Sequence, residues 1–230
     1  MTRTNGWGRW IGAGAVVAGL VAAGVGTTAA VASAKTSPKA KVQLLRVSDF
    51  PTGWKATPTT TASTTTGTNE FAAIAACEGL TGSTIDTTVP DAQASFSHKK
   101  TAQFAFETVG VFPSVGSSKQ VYALFSAPKA PTCVGQALAK AVAAGTTTGN
   151  ITSSDITVSK LPVPRIGAAS TALQLAIPLT VEGTQLTMNA DFVVIRKAKS
   201  IAIVAPVGLS ATTPTSFAVS LGKKAAARLH

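Results

Sequence analysis

The chain has 230 residues, 45% of them hydrophobic and 13% charged, which suits one sizeable globular domain and excludes a disordered polyelectrolyte. Lys and Arg outnumber Asp and Glu by 20 to 9, and the resulting charge of +11 favours polyanionic partners. Aromatic residues make up only 6%, so a core has to rest on Val, Ile, Leu and Ala.

The amino-terminal residues decide which polyanions matter. Arg3 and Arg9 form a positive region, residues 11–26 are an apolar run, and Ala32-Ser33-Ala34 places small residues at both recognition positions of a signal peptidase. Residues 1–34 therefore read as a signal peptide cleaved after Ala34, with Lys35 as the mature terminus. The alternative is an uncleaved anchor, because 11–34 carries no charge and is just long enough to span a bilayer. No cysteine lies near the apolar run, so a lipoprotein anchor is excluded. Export removes nucleic acid from the natural partners and leaves anionic envelope polymers or a small ligand, with membrane contact only through an uncleaved leader. In an oxidising compartment the two cysteines, Cys77 and Cys133, read as one disulfide contributing about 4 kcal/mol by loop closure. Two cysteines cannot form a structural zinc site, and His98 and His230 have no ligand-like spacing, so neither metal nor cofactor is expected.

Residues 35–43 read as a basic linker and 44–230 as a single domain. Residues 44–54 suggest a short helix broken at Pro51, with Trp54 buried. The Thr-rich tract 57–68 is either an exposed loop or a pair of irregular edge strands, and is an O-glycosylation candidate. Over 69–77 the period turns helical: Phe71, Ile74, Ala75 and Cys77 share a face and Gly79 follows the end. Residues 91–98 and 102–112 read as strands, 117–127 and 131–144 as helices, the second opened by Pro131. The last helix is expected over 213–229, with Thr213 as its cap and Pro214 in its first turn.

The stretch 171–205 carries the strongest pattern. Leu173, Leu175, Ile177, Leu179 and Val181 alternate with smaller or polar residues. A two-residue turn at Glu182-Gly183 sets Leu179 opposite Leu186, Ile177 opposite Met188, Leu175 opposite Ala190 and Leu173 opposite Phe192, all on one face. An even-numbered turn after Ile195 continues that face, with Val194 opposite Ile201 and Phe192 opposite Ile203. The cations Arg196, Lys197 and Lys199 then sit at a wet hairpin tip, where they oppose edge pairing and offer a delocalised polyanion contact. On the other face Gln174, Thr187, Asn189 and Asp191 gather at one end, while Val193, Ile195, Ala202 and Val204 make the other end apolar. Such a sheet carries helices on one face and a polar patch on the second. Pro178 removes a ladder donor, which suggests an edge or a bulge.

Residues 44–54 (LLRVSDFPTGW), the paired cysteines, 111–114 (VFPS) before a helix, 164–172 (PRIGAASTA) and 191–204 (DFVVIRKAKSIAIV) ahead of an Ala-rich terminal helix occur in that order in one group. Over roughly 44–229 the chain resembles exported actinobacterial domains similar to the extracellular sensor domain of PknH-like serine/threonine kinases, related to PsbP-like lipoproteins. The resemblance implies an α+β fold, an antiparallel sheet with helices packed on it, and a cleft for an unknown ligand. Two departures stand out: these residues hold no kinase domain, and the kinase sensor domains carry more than one disulfide.

Catalytic signatures are few. Ser97/Lys100, Ser126/Lys129 and Ser220/Lys223 match S-x-x-K, a spacing that a chain rich in Ser and Lys produces by chance, and the companion motifs of the penicillin-binding group are absent. His98 reads as a solvated strand end, and no second acid is placed beside Asp191 for acid–base work. The expectation is an exported envelope binding or sensor-like module without an evident catalytic site, its ligand facing Gln174, Thr187, Asn189 and Asp191. A structural or adhesion-type protein held by charge is the alternative, and a hydrolase or acyl-transfer enzyme the lesser one.

Overall fold

The computed structural model describes residues 38–57, 68–80, 91–145, 151–153, 155–181, 184–210 and 212–230. Residues 1–37, with the expected signal peptide, most of the Thr-rich tract and the expected turn at 182–183 lie outside the described residues. The elements in chain order are a single helical turn α1 (Pro38–Lys41), a 3₁₀ turn (Val47–Asp49), β1 (Trp54–Thr57), α2 (Thr68–Glu78), β2 (Asp91–His98), β3 (Gln103–Val111), α3 (Val115–Ser126), α4 (Ala130–Gly145), β4 (Ile151–Ser153), β5 (Thr157–Lys160), β6 (Ala169–Val181), β7 (Thr184–Lys197), β8 (Ser200–Leu209) and α5 (Thr215–Arg228).

All eight strands join one antiparallel sheet in the order β1-β2-β3-β8-β7-β6, with β4 and β5 both on the outer side of β6. The fold is α+β. The β6–β7 register is the one the alternation requires, from Leu173 opposite Phe192 to Leu179 opposite Leu186, and Val181 pairs with Thr184 on either side of the turn. Pro178 stands at a local edge of β6, as its missing donor suggests, and not in a bulge. It faces Thr187 on β7, and its outer side falls in the gap between β5, which ends its pairing at Ala176, and β4, which begins at Leu179. The missing N–H therefore leaves no ladder bond unmade.

Each sheet face is covered, which corrects the expectation of helices on one side only. On the first face Leu173, Leu175, Ile177, Met188, Val194 and Ile201 pack against α2, α3 and α4 through Ile74, Leu124, Phe125 and Val134. Residue spacing fixes these helices locally. Ser114 Oγ accepts from the Ser117 N–H at 3.0 Å and caps α3. Gly79, at φ +79°, ends α2 while Leu80 N–H donates to the Ala75 carbonyl and Gly79 N–H to that of Ala76, so the last carbonyls are met. A disulfide joins Cys77 near the end of α2 to Cys133 near the start of α4.

The second face carries a different cover. Ala172, Val193, Ile195, Ala202 and Val204 lie under α5, which presents Ala218, Leu221, Ala225 and Ala226, and under the strap 38–54, which contributes Ala40, Leu45, Phe50 and Trp54. Gly222 of α5 has the Val193 and Ile166 side chains within 3.3 Å of where a Cβ would stand, so a small residue there brings the helix close to the sheet. The basic linker is thus partly packed: Ala40 and Gln43 are at most 1% exposed. The expected helix at 44–54 is reduced to one 3₁₀ turn, while Trp54 is buried as expected. Thr213 does not cap α5. That helix begins at Thr215 with Pro214 at its N-cap and no side-chain bond there, because Thr213 is drawn inward with its hydroxyl buried.

Candidate functional site

Two places follow from the sequence pattern, and the structure adds a third. The first is the polar end of the second face. Gln174 on β6 and Asp191 on β7 are cross-strand partners, and Asn189 and Thr187 follow Asp191 at two-residue steps on the same face, opposite Ala176 and Pro178. The four named residues are therefore neighbours. Asp191 is 3% exposed, and the other three are half-buried. Gln174 Nε2 donates to Asp191 Oδ1 at 3.2 Å, while Oδ2 is buried with no hydrogen-bond partner among the described residues. Burial pushes the Asp191 carboxyl above the usual carboxylate range, and the Gln174 bond pulls against it. The β7–β8 ladder is interrupted beside it. Ala190 pairs with Val207 and Val193 with Val204, so Pro206, which has no N–H, stands across from Asp191.

The second place is the β7–β8 hairpin, where the register is two residues off the expected one. Val194 faces Ile203, not Ile201, and Arg196 faces Ile201. The side chains keep their faces because the shift is even. The turn consists of Ala198 and Lys199, with Ala198 at φ +49°. Contacts from outside the hairpin account for this choice: Ser118 Oγ of α3 donates to the Ala198 carbonyl at 2.9 Å, and Ser200 Oγ donates to the His230 carbonyl at 2.9 Å. The cation cluster is consequently split. Lys199 alone is exposed at the turn. Lys197 lies on the second face, where its Nζ donates to the Ala226 carbonyl in the last turn of α5, a site that favours positive charge. Arg196 lies on the first face beside Tyr122, whose hydroxyl burial pushes up while the Arg196 charge pulls it down. Its Nε is buried without a hydrogen-bond partner among the described residues.

The third place was not singled out by the sequence pattern. Glu107 sits mid-strand on β3, on the second face between Ala105 and Val109, and is 1% exposed. Leu45 N–H of the strap donates to its Oε2 at 2.5 Å, while Oε1 has no hydrogen-bond partner among the described residues. Burial raises its pKa to about 8, against the lowering effects of the Leu45 N–H and the Arg228 charge; Asp49 adds a smaller raising effect. At neutral pH this carboxyl is mostly uncharged. Asp49 itself is gripped by Arg228, whose Nη2 stands 2.7 Å from Oδ2 and whose Nε donates to the same oxygen at 3.1 Å. Lys224 Nζ donates to the Asp49 carbonyl. The pairing engages Nε and Nη2 of Arg228, so the group clamps the strap to α5. An acid at an inward position, with Ala105 and Val109 on either side of it on the same face, was the available signal.

His98 is half-buried at the far end of β2, with its ring edge-on to Trp54 at 5.7 Å and its Nδ1 2.9 Å from the Thr101 hydroxyl. Of the three S-x-x-K pairs, Ser126 Oγ donates to the Ala123 carbonyl and Ser97 Oγ accepts from Thr57. Among the described residues no group of three or more His, Cys, Asp and Glu is placed to hold a metal ion, and no helix is long and apolar enough to cross a membrane.

No family model matches the chain, and no curated protein matches it. Among solved structures, the crystal structure of the extracellular domain of PknH from Mycobacterium tuberculosis is similar over 60% of this chain and 63% of that one, at 9% identity and a TM-score of 0.34. The aligned part is just under two thirds of that domain, and the resemblance is a weak one at the level of the fold.

Proposed function

We propose that the protein is an exported envelope binding module of sensor-like type, and that its ligand engages the polar end of the second sheet face. The observation that carries this reading is the state of Asp191: a carboxyl 3% exposed, bonded through one oxygen to Gln174 and without a hydrogen-bond partner for the other among the described residues. An orphaned buried acceptor costs about 1–3 kcal/mol, so an incoming donor has that much to gain by reaching it. A ligand hydroxyl or amine that displaced the Gln174 side chain would satisfy both oxygens, with Thr187 and Asn189 supplying the flanking contacts. The disulfide supports the exported setting. Catalysis has no comparable support, because the other buried acid is tied to the strap.

The test is a thermal-shift screen of the exported protein against envelope-derived sugars, amino acids and short peptides. Compounds that raise the midpoint of the wild type and lose that effect in Asp191→Asn support the reading. Compounds that stabilise both proteins equally place the ligand elsewhere.

A further inference from the structure

The described cations are not spread evenly. The strap 38–50, the C-terminal half of α5, the β7–β8 turn and the loop 164–168 come from distant parts of the chain, yet hydrogen bonds draw them together at one end of the molecule. Arg228 and Lys224 hold Asp49, His230 N–H donates to Gln43 Oε1 at 3.4 Å, Ser200 Oγ reaches the His230 carbonyl, and Ala168 N–H donates to the Arg196 carbonyl at 3.0 Å. The strap and the loop flank α5, which lies over the sheet between them.

The outer surface of this layer is basic. Lys39, Lys41 and Arg46 are exposed on the strap, Lys223 on α5, Lys199 at the turn and Arg165 on the loop. Few acids oppose them. Asp49 is neutralised by Arg228, Glu107 is buried beneath the strap, and Asp91 stands at this end of the sheet on β2, three strands from β7. The strap also carries apolar side chains that the fold leaves in water: Val42 is 59% exposed and Val47 is 42% exposed. They are two of the four large hydrophobic residues exposed among the described residues, and each directly follows a cation, Lys41 and Arg46.

Charge alone would suit any polyanion. Exposed valines set among lysines suit a partner that has both a negative surface and an apolar layer directly beneath it, which is the anionic phospholipid bilayer. A soluble polyanion offers nothing to Val42 or Val47. From this juxtaposition we infer that the strap, α5 and the hairpin turn form a docking surface for an anionic membrane, with the lysines on the head groups and Val42 and Val47 at the acyl boundary. This surface lies on the outside of the strap and α5, apart from the polar end of the same sheet face that holds Asp191.

Vesicle co-sedimentation of the exported protein tests the assignment, using phosphatidylglycerol mixed equally with phosphatidylcholine against phosphatidylcholine alone. Binding to the anionic vesicles is expected, falling steeply as salt rises from about 0.1 M to about 1 M and the screening length shortens from about 10 Å to about 3 Å. The charge variant Lys39→Glu/Lys41→Glu/Arg46→Glu is expected to lose binding. The control Lys55→Glu/Lys99→Glu/Lys100→Glu, at the opposite end of the sheet and with the same change of charge, is expected to bind as the wild type does. Val42→Ser/Val47→Ser is expected to weaken binding about tenfold. All altered side chains are exposed, and an unchanged circular dichroism melt confirms that each variant folds. Equal loss in both charge variants would reduce the effect to net charge and overturn the proposal, as would absence of binding to the anionic vesicles. Full binding by the valine variant would overturn the choice of a lipid surface over a soluble polyanion.

Discussion

The two faces of the sheet are both buried, but by different means. The first face is apolar throughout its centre, lies under three helices and is tied by a disulfide. The second face is closed by a strap and a single helix, and it holds two buried carboxyls, Glu107 and Asp191. Apolar burial does not depend on proton concentration, whereas an uncharged buried acid does. The first face should therefore set the protein's stability and the second should set how that stability responds to its surroundings.

The largest effect that separates them concerns the disulfide. Cys77→Ser/Cys133→Ser is expected to lose about 4 kcal/mol, by the same amount at every pH between acid and mild alkali, in urea unfolding. A loss that varied with pH would link the disulfide to the titrating face. Next comes Glu107. Its folded pKa of about 8 exceeds the ordinary 4.5, so the folded state holds a proton that the unfolded chain releases. The stabilisation is complete below pH 4.5 and is lost as pH rises through 8. The loss is of the same order as the disulfide's contribution, a few kcal/mol, and Glu107→Gln, which mimics the protonated form, should remove most of it. Persistence of the loss between pH 4.5 and 8 in that variant would assign it to another group.

A smaller effect belongs to the strap's turn. Gly53 stands at φ +104°, and a Cβ there would come within 2.5 Å of His98 Nε2. Gly53→Ala should cost about 2 kcal/mol in the same unfolding assay. The smallest effects discriminate between the hairpin cations. Lys197→Ala should cost about 0.5 kcal/mol, because it removes a partner from the last turn of α5, whereas Lys199→Ala should be neutral. Equal effects would mean that the bond to Ala226 contributes nothing.

The faces also differ in how much the sequence revealed of them. The first face was legible because period-two alternation across a two-residue turn admits only one register, and because helical periods matched apolar faces around Cys77 and Cys133. The second face was half legible. Its apolar end, from Val193 to Val204, was recognised, as was the neighbourhood of Gln174, Thr187, Asn189 and Asp191. Its cover was not. The strap has no period; it docks through single residues, Ala40, Leu45 and Phe50, and its polar clamp joins Asp49 to Arg228, 179 positions away. The hairpin register slipped for a related reason, since Ser118 and His230 fix the turn from outside the two strands that alternation describes.

The contrast between the faces rests on Glu107 being uncharged at neutral pH, and carbon-13 NMR of its side-chain carboxyl measures this directly. The account predicts a titration midpoint near 8 for the Glu107 carboxyl in the folded protein. A midpoint near the ordinary glutamate value of about 4.3 would show that the second face holds a charged carboxylate, and the contrast would fail.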